Sequence, residues 1–72
     1  MLRLHYILIK NDISLYSVAD LLNMQRSSFM YKLKKVKDFT IEELEIIKRY
    51  LVDLNIIDNN FDIGEFLDEC KD

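Results

Sequence analysis

Residues 14–35 read SLYSVADLLNMQRSSFMYKLKK, and how that stretch divides decides the fold. Ser14 is a good N-cap, because its hydroxyl can accept one of the orphan amides of a first helical turn. Val18, Leu21 and Leu22 then recur at i, i+3, i+4, the spacing of one face of a short amphipathic helix over about 15–22. Asn23 follows; after glycine it best tolerates a left-handed backbone, so a sharp turn is expected there, with Met24 facing back into the core. A third helix, over about 25–35, carries Phe29, Lys32, Leu33 and Val36 on one side and Ser27, Met30, Tyr31 and Lys34 on the other. The expectation is two helices joined by a turn, the second showing an outward polar side.

The flanks extend the helical reading. Leu4, Ile7 and Leu8 sit at helical spacing within 2–10, and Asn11 with Asp12 makes a stop. Leu2, Leu4, Tyr6 and Leu8 also alternate, which leaves a strand open for this short run. If it is a helix, Leu2, Tyr6 and Ile9 fall away from the core stripe. Thr40 followed by Glu43 is a capping-box signature, opening a fourth helix with Leu44, Ile47, Leu51 and Leu54 inward. Asp62 and Glu65 repeat it ahead of Ile63, Phe66 and Leu67, so a short fifth helix is expected. With no proline and one glycine, tight hairpins are disfavoured, and the class is all-α: four to five helices in one domain over 1–72.

A chain of this length closes one modest core, and half its residues are apolar. The single cysteine, Cys70, has no disulfide partner and forms no ligand cluster with His5, so neither a disulfide framework nor a metal site is expected. His5 reads as a surface or interface residue and Cys70 as an extension of the Ile63 and Phe66 stripe. The apolar run from Leu4 to Ile9 is too short to span a bilayer. No targeting segment is read, so a cytoplasmic protein without a membrane partner is expected.

Charge is unevenly spread. Residues 1–25 are neutral overall, residues 26–37 carry five cations and no acid, and residues 38–72 carry a net −8, for a total of −3. A net acidic chain argues against a polyanion partner, but a basic island inside it argues the other way, and the distribution is the more informative. The acids from Glu42 to Glu45 read as helix-surface and N-terminal dipole residues. With no phosphate-binding glycine loop, metal set or paired catalytic groups, neither an enzyme, a cofactor nor a small-molecule substrate is expected.

The run from Ser17 to Phe29, with the small Ala19 where two helices would cross, resembles the helix-turn-helix of the lambda repressor and Cro-like family. Phe29, Tyr31-Lys32-Leu33, Phe39-Thr40 and Glu43-Leu44 look like the short phage regulators that follow the recognition helix with a basic loop and a capped fourth helix. The likeness covers roughly residues 4–68. Two positions depart from it: Leu15 stands where many members have glutamine, and Asn23 where glycine is usual.

The resemblance implies a Cro-like, sequence-specific transcriptional regulator of a phage or prophage switch. It would bind a double-stranded DNA operator as a homodimer, with the helix over about 25–35 in the major groove. Gln25, Arg26 and Ser27 would read base edges, followed along the groove by Met30 and Tyr31. Arg26 is the prime candidate for discrimination, since arginine binds guanine in a bidentate way. Lys32, Lys34, Lys35 and Lys37 would meet phosphates, which position a protein without reading sequence. Taken alone, such a lysine run is commonly a solvated face; its placement on a helix-turn-helix is what recommends it. A start at Met1 and a composition dense in Ile, Asn and Lys lead to the expectation of an independent small gene.

The rival expectation is a protein-binding module, an antirepressor that docks on a phage repressor or other basic DNA-binding partner. The acidic half favours it, as does the nonstandard Leu15. So do apolar residues beside the core stripes: Leu2, Tyr6 and Ile9 on the first helix, Ile46 and Tyr50 on the fourth. The same residues could serve a homodimer.

Overall fold

The computed structural model describes residues 1–34 and 39–70. It contains four α-helices, α1 (Arg3–Lys10), α2 (Leu15–Leu21), α3 (Arg26–Lys34) and α4 (Ile41–Asp53), and a terminal 3-10 helix (Ile63–Leu67). Among the described residues the single β feature is an antiparallel bridge between Leu2 and Glu69. The all-α expectation stands. Helix also wins over strand for the first segment, because Leu4 and Leu8 are fully buried and Ile7 packs beside them.

The turns explain how a chain with one glycine folds so tightly. Asp12, Asn23 and Asn55 adopt φ of 59°, 56° and 60°, the left-handed region that Asp and Asn enter most readily after glycine. Each follows the C-cap residue of a helix, Asn11, Leu22 or Leu54, and the same pair of bonds closes each end. At α2 the Asn23 amide donates to the Asp20 carbonyl and the Met24 amide to Ala19, both at 3.0 Å. The corresponding bonds at α1 run from Asp12 to Ile9 and Ile13 to Leu8, and at α4 from Asn55 to Val52 and Ile56 to Leu51. This is the Schellman arrangement, which satisfies the orphan carbonyls of a helix end and redirects the chain within two residues.

The helix starts are equally well supplied. The Ser14 hydroxyl accepts from the Tyr16 amide at 3.2 Å. Thr40 and Glu43 close the full reciprocal box, with bonds of 3.1 and 2.9 Å. The final segment departs from expectation. The Asp62 carboxylate accepts from the Gly64 amide at 2.9 Å, while Glu65 reaches instead to Arg3, also at 2.9 Å, so no capping box forms and the turn is 3-10.

One core draws on every element: Leu2, Leu4 and Leu8 meet Val18 and Ala19, Phe29 and Leu33, Phe39, Leu44, Ile47 and Leu51, and Phe66. The Phe29 and Phe39 rings meet edge-on with centroids 6.0 Å apart, a favoured aromatic geometry. Three stripe assignments are corrected. Leu21 is 41% exposed, because the inward stripe of α2 is Leu15, Val18, Ala19 and Leu22, and Leu21 lies roughly 110° from its centre at 3.6 residues per turn. Leu54 is 47% exposed, since α4 ends at Asp53 and Leu54 is its cap. Leu2, expected to face outward, is 1% exposed. It stands in extended conformation ahead of α1, where residues 68–70 clasp the first three: the Arg3 amide donates to the Asp68 carbonyl at 2.8 Å and the Cys70 amide to Met1 at 2.7 Å. That pairing turns the Leu2 side chain into the core and removes it from any candidate interface.

Candidate nucleic-acid interface

The α3 helix is held on two sides. Towards α2, the Asn23 turn reverses the chain between the two helices, Ala19 is fully buried in the core, and Met24 packs against that core. Towards α4, the Lys32 ammonium lies 2.9 and 3.2 Å from the two Glu43 carboxylate oxygens and 5.7 Å from the Phe39 ring centroid. Burial disfavours the charged form of Glu43. Even so, the Thr40 amide, the Lys32 ammonium and the Thr40 hydroxyl outweigh that and hold its carboxyl below the usual value. Glu43 therefore joins the cap of α4 to the side of α3.

With Phe29 and Leu33 buried, the remaining face of α3 turns to solvent: Arg26, Ser27, Ser28, Tyr31 and Lys34 are all exposed, as is Gln25 just before the helix. Ser27, Tyr31 and Lys34 follow at i, i+4 and i+7, one stripe on a helix surface. Ser27, Ser28, Tyr31 and Lys32 line a shallow open depression along it. Residues 25–34 include no acid. The Arg26 guanidinium carbon lies over the Tyr16 ring, 4.1 Å from its centroid, and Tyr16 stands in the first turn of α2.

Of the sequence-based candidates, Gln25, Arg26, Ser27, Tyr31 and Lys34 are all exposed; Ser27, Tyr31 and Lys34 share one stripe, Arg26 lies over Tyr16 on the side towards α2, and Gln25 lines a separate depression with Asp20, Asn23 and Met24. Met30 is corrected: it is half-buried and packed against the core, because the core-facing sector of α3 is wide enough to take the residue beside Phe29. Lys32 is corrected as well, being tied to Glu43 on the side towards α4. Lys35 and Lys37, and Val36 on the expected packing side, lie outside the described residues. Tyr16 escaped the sequence reading altogether; its only signal there is an aromatic at the second position of a helix whose inward stripe excludes it.

A second surface lies on α4. Leu21, Ile46 and Tyr50 line a groove edged by Glu42, Glu45, Asp53 and Arg49. Ile46 is exposed and Tyr50 half-buried, as a partner surface would need, and Leu21 joins them because of its rotation out of the core. On α1, Ile9 is exposed, while Tyr6 is half-buried with the Lys10 ammonium 5.6 Å from its ring centroid. His5 is half-buried, and burial followed by the charge of the nearby amino terminus lowers its pKa. Cys70 is a half-buried free thiol whose amide pairs with Met1 rather than joining the core stripe.

Among the described residues no group of three or more His, Cys, Asp or Glu side chains could hold a metal ion, and no helix is long and apolar enough to cross a membrane. No family model matches the chain, and neither a curated protein nor a solved structure was found to match it.

Proposed function

We propose that the protein is a sequence-specific DNA-binding regulator of transcription, of the Cro-like phage or prophage kind that the sequence resembles. In this reading α2 and α3 act as a helix-turn-helix, with α3 as the recognition helix of a homodimer in the cytoplasm of the host. The observation that carries it is the exposed, acid-free stripe of α3, Ser27, Tyr31 and Lys34, with Gln25 and Arg26 exposed at the start of the helix, on a chain whose net charge is −3. A helix about 10–12 Å across fits a major groove about 12 Å wide, so the side chains on this face would meet base edges and its flanks would meet phosphates. The overall charge of −3 is unevenly spread, and screening over a Debye length of about 8 Å makes the local charge of α3 weigh more than that of acids farther away.

The test is a fluorescence-anisotropy titration against DNA flanking its own gene, at about 50 and 200 mM salt, with a random duplex as control. Binding selective for one duplex and weakened by salt supports the reading. Equal affinity for the random duplex, or none for either, defeats it.

The α4 groove favours a second reading, a modulator that docks on a DNA-binding protein. Its apolar floor of Leu21, Ile46 and Tyr50 within an acidic rim suits a basic amphipathic partner segment. Under this reading Tyr50→Ala abolishes function while Arg26→Ala is silent; under the first, the order is reversed.

A further inference from the structure

We infer that Tyr16 is a positioning residue for base recognition, a stacking platform that presents the Arg26 guanidinium edge-on to a guanine. The inference rests on the DNA-binding reading above and adds to it a residue and a base. The geometry is the guanidinium carbon over the ring face, 4.1 Å from the centroid, a separation at which the planar group can lie flat on the ring. Both residues are exposed, Tyr16 at 53%, so no packing forces them together and the attraction between cation and ring face accounts for the contact.

Their backbones are independently fixed. Ser14 caps the amide of Tyr16, and the Asn23 turn sets where α3 begins. A stacked guanidinium uses its flat face and leaves its N–H donors, all in the plane of the group, pointing away at the rim. That rim is the part that matches the O6 and N7 acceptors of guanine in the major groove. The ion pairs of the described residues engage the amino terminus, Arg3 and Lys32, and none of them draws Arg26 to a carboxylate. An arginine at the start of a recognition helix, oriented before DNA arrives, loses less conformational freedom on binding than a freely rotating one. Tyr16 therefore acts through Arg26 and contacts no base.

The experiment measures affinity for the selected duplex and for duplexes altered at each base pair, using the native protein, Tyr16→Phe, Tyr16→Ala, Arg26→Ala and the Tyr16→Ala, Arg26→Ala double variant. Circular dichroism melts establish that each folds. A stack at an exposed site corresponds to about a two- to fivefold effect. Tyr16→Ala is expected to reduce discrimination by that factor at one G·C pair, the pair at which Arg26→Ala also loses discrimination. Tyr16→Phe keeps the ring face and should behave as native, and Tyr16→Ala should add nothing once Arg26 is gone. Upfield ring-current shifts of the Arg26 side-chain protons in the free protein, lost in Tyr16→Ala, would support the stack directly.

The inference is overturned if Tyr16→Ala leaves discrimination intact or weakens all duplexes alike. It also fails if Tyr16→Phe is as damaging as Tyr16→Ala, which would assign the role to the hydroxyl. Absence of selective binding by the native protein overturns the underlying reading instead, and this inference with it.

Discussion

Replacing Glu43 with alanine tests the joint that holds α3 to α4. The carboxylate accepts from the Thr40 amide at 2.9 Å and from the Lys32 ammonium at 2.9 and 3.2 Å. The side chains of Lys32 and Glu43 are only 23% and 19% exposed, so the pair is less screened than an open surface pair and contributes about 1 kcal/mol. Loss of the reciprocal cap bond costs roughly another 0.5–1 kcal/mol, and loss of a negative charge in the first turn about 0.3–0.5 kcal/mol. The better helix propensity of alanine returns a few tenths of a kcal/mol. The net is about 2 kcal/mol, or roughly 8–16 °C in melting temperature for a domain of this size. Glu43→Gln keeps a neutral acceptor for the Thr40 amide and should lose about half as much. Because the folded carboxyl titrates below its ordinary value, its stabilisation is complete above the unfolded value of about 4.3 and is lost as pH falls through the depressed folded one. The gap between native and Glu43→Gln melts should therefore be widest near neutrality and close as pH falls through the depressed folded value. Thermal and urea melts followed by circular dichroism read all of this. A Glu43→Ala melting temperature within about 2 °C of native at neutral pH, against an expected loss of several times that, would mean that Glu43 does not join α3 to α4.

Three further outcomes are expected. Asn23→Gly should hold or raise stability by up to about 1 kcal/mol, because φ at this position is 56°, whereas Asn23→Val should lower it by about 1–2 kcal/mol or more; urea midpoints decide it. Leu2→Ala should cost about 2–5 kcal/mol in urea melts, as expected of a core residue 1% exposed and not of an interface residue on the monomer surface. Lys34→Ala should weaken DNA binding uniformly across sequences and reduce the salt slope by about 1 for each contact removed, read from anisotropy at several salt concentrations.

Local chemistry made much of this fold legible. Ser14 and Thr40 have side chains that bond their own helix starts, and Asn23 has one of the few non-glycine side chains at ease in left-handed backbone, so each signal is complete within a few residues of sequence. Asn55 uses the same device as Asn23, but the apolar spacing runs on to Leu54 directly before it and masks the end of the helix at Asp53. What escaped depends on contacts distant in sequence. Leu2 is buried because residues 68–70 pair with the chain start, and Glu65 leaves its expected cap because Arg3 offers a charge. In the candidate site, the basic island could be read from the charge distribution and the exposure of Ser27, Tyr31 and Lys34 from the 3.6-residue period, which places Met30 outward as well, while Arg26 is singled out by the resemblance. The diversion of Lys32 to Glu43 and the stacking of Arg26 on Tyr16 could not, since each needs the relative placement of two helices.

The central claim, that α3 is the DNA-reading element, is tested most directly by mapping amide and arginine side-chain chemical-shift changes of the isotope-labelled protein on titration with a duplex selected for binding. The largest changes are expected at Gln25, Arg26, Ser27, Tyr31 and Lys34, with Leu21, Ile46 and Tyr50 little affected. Changes concentrated on the α4 groove, with α3 unmoved, would contradict it.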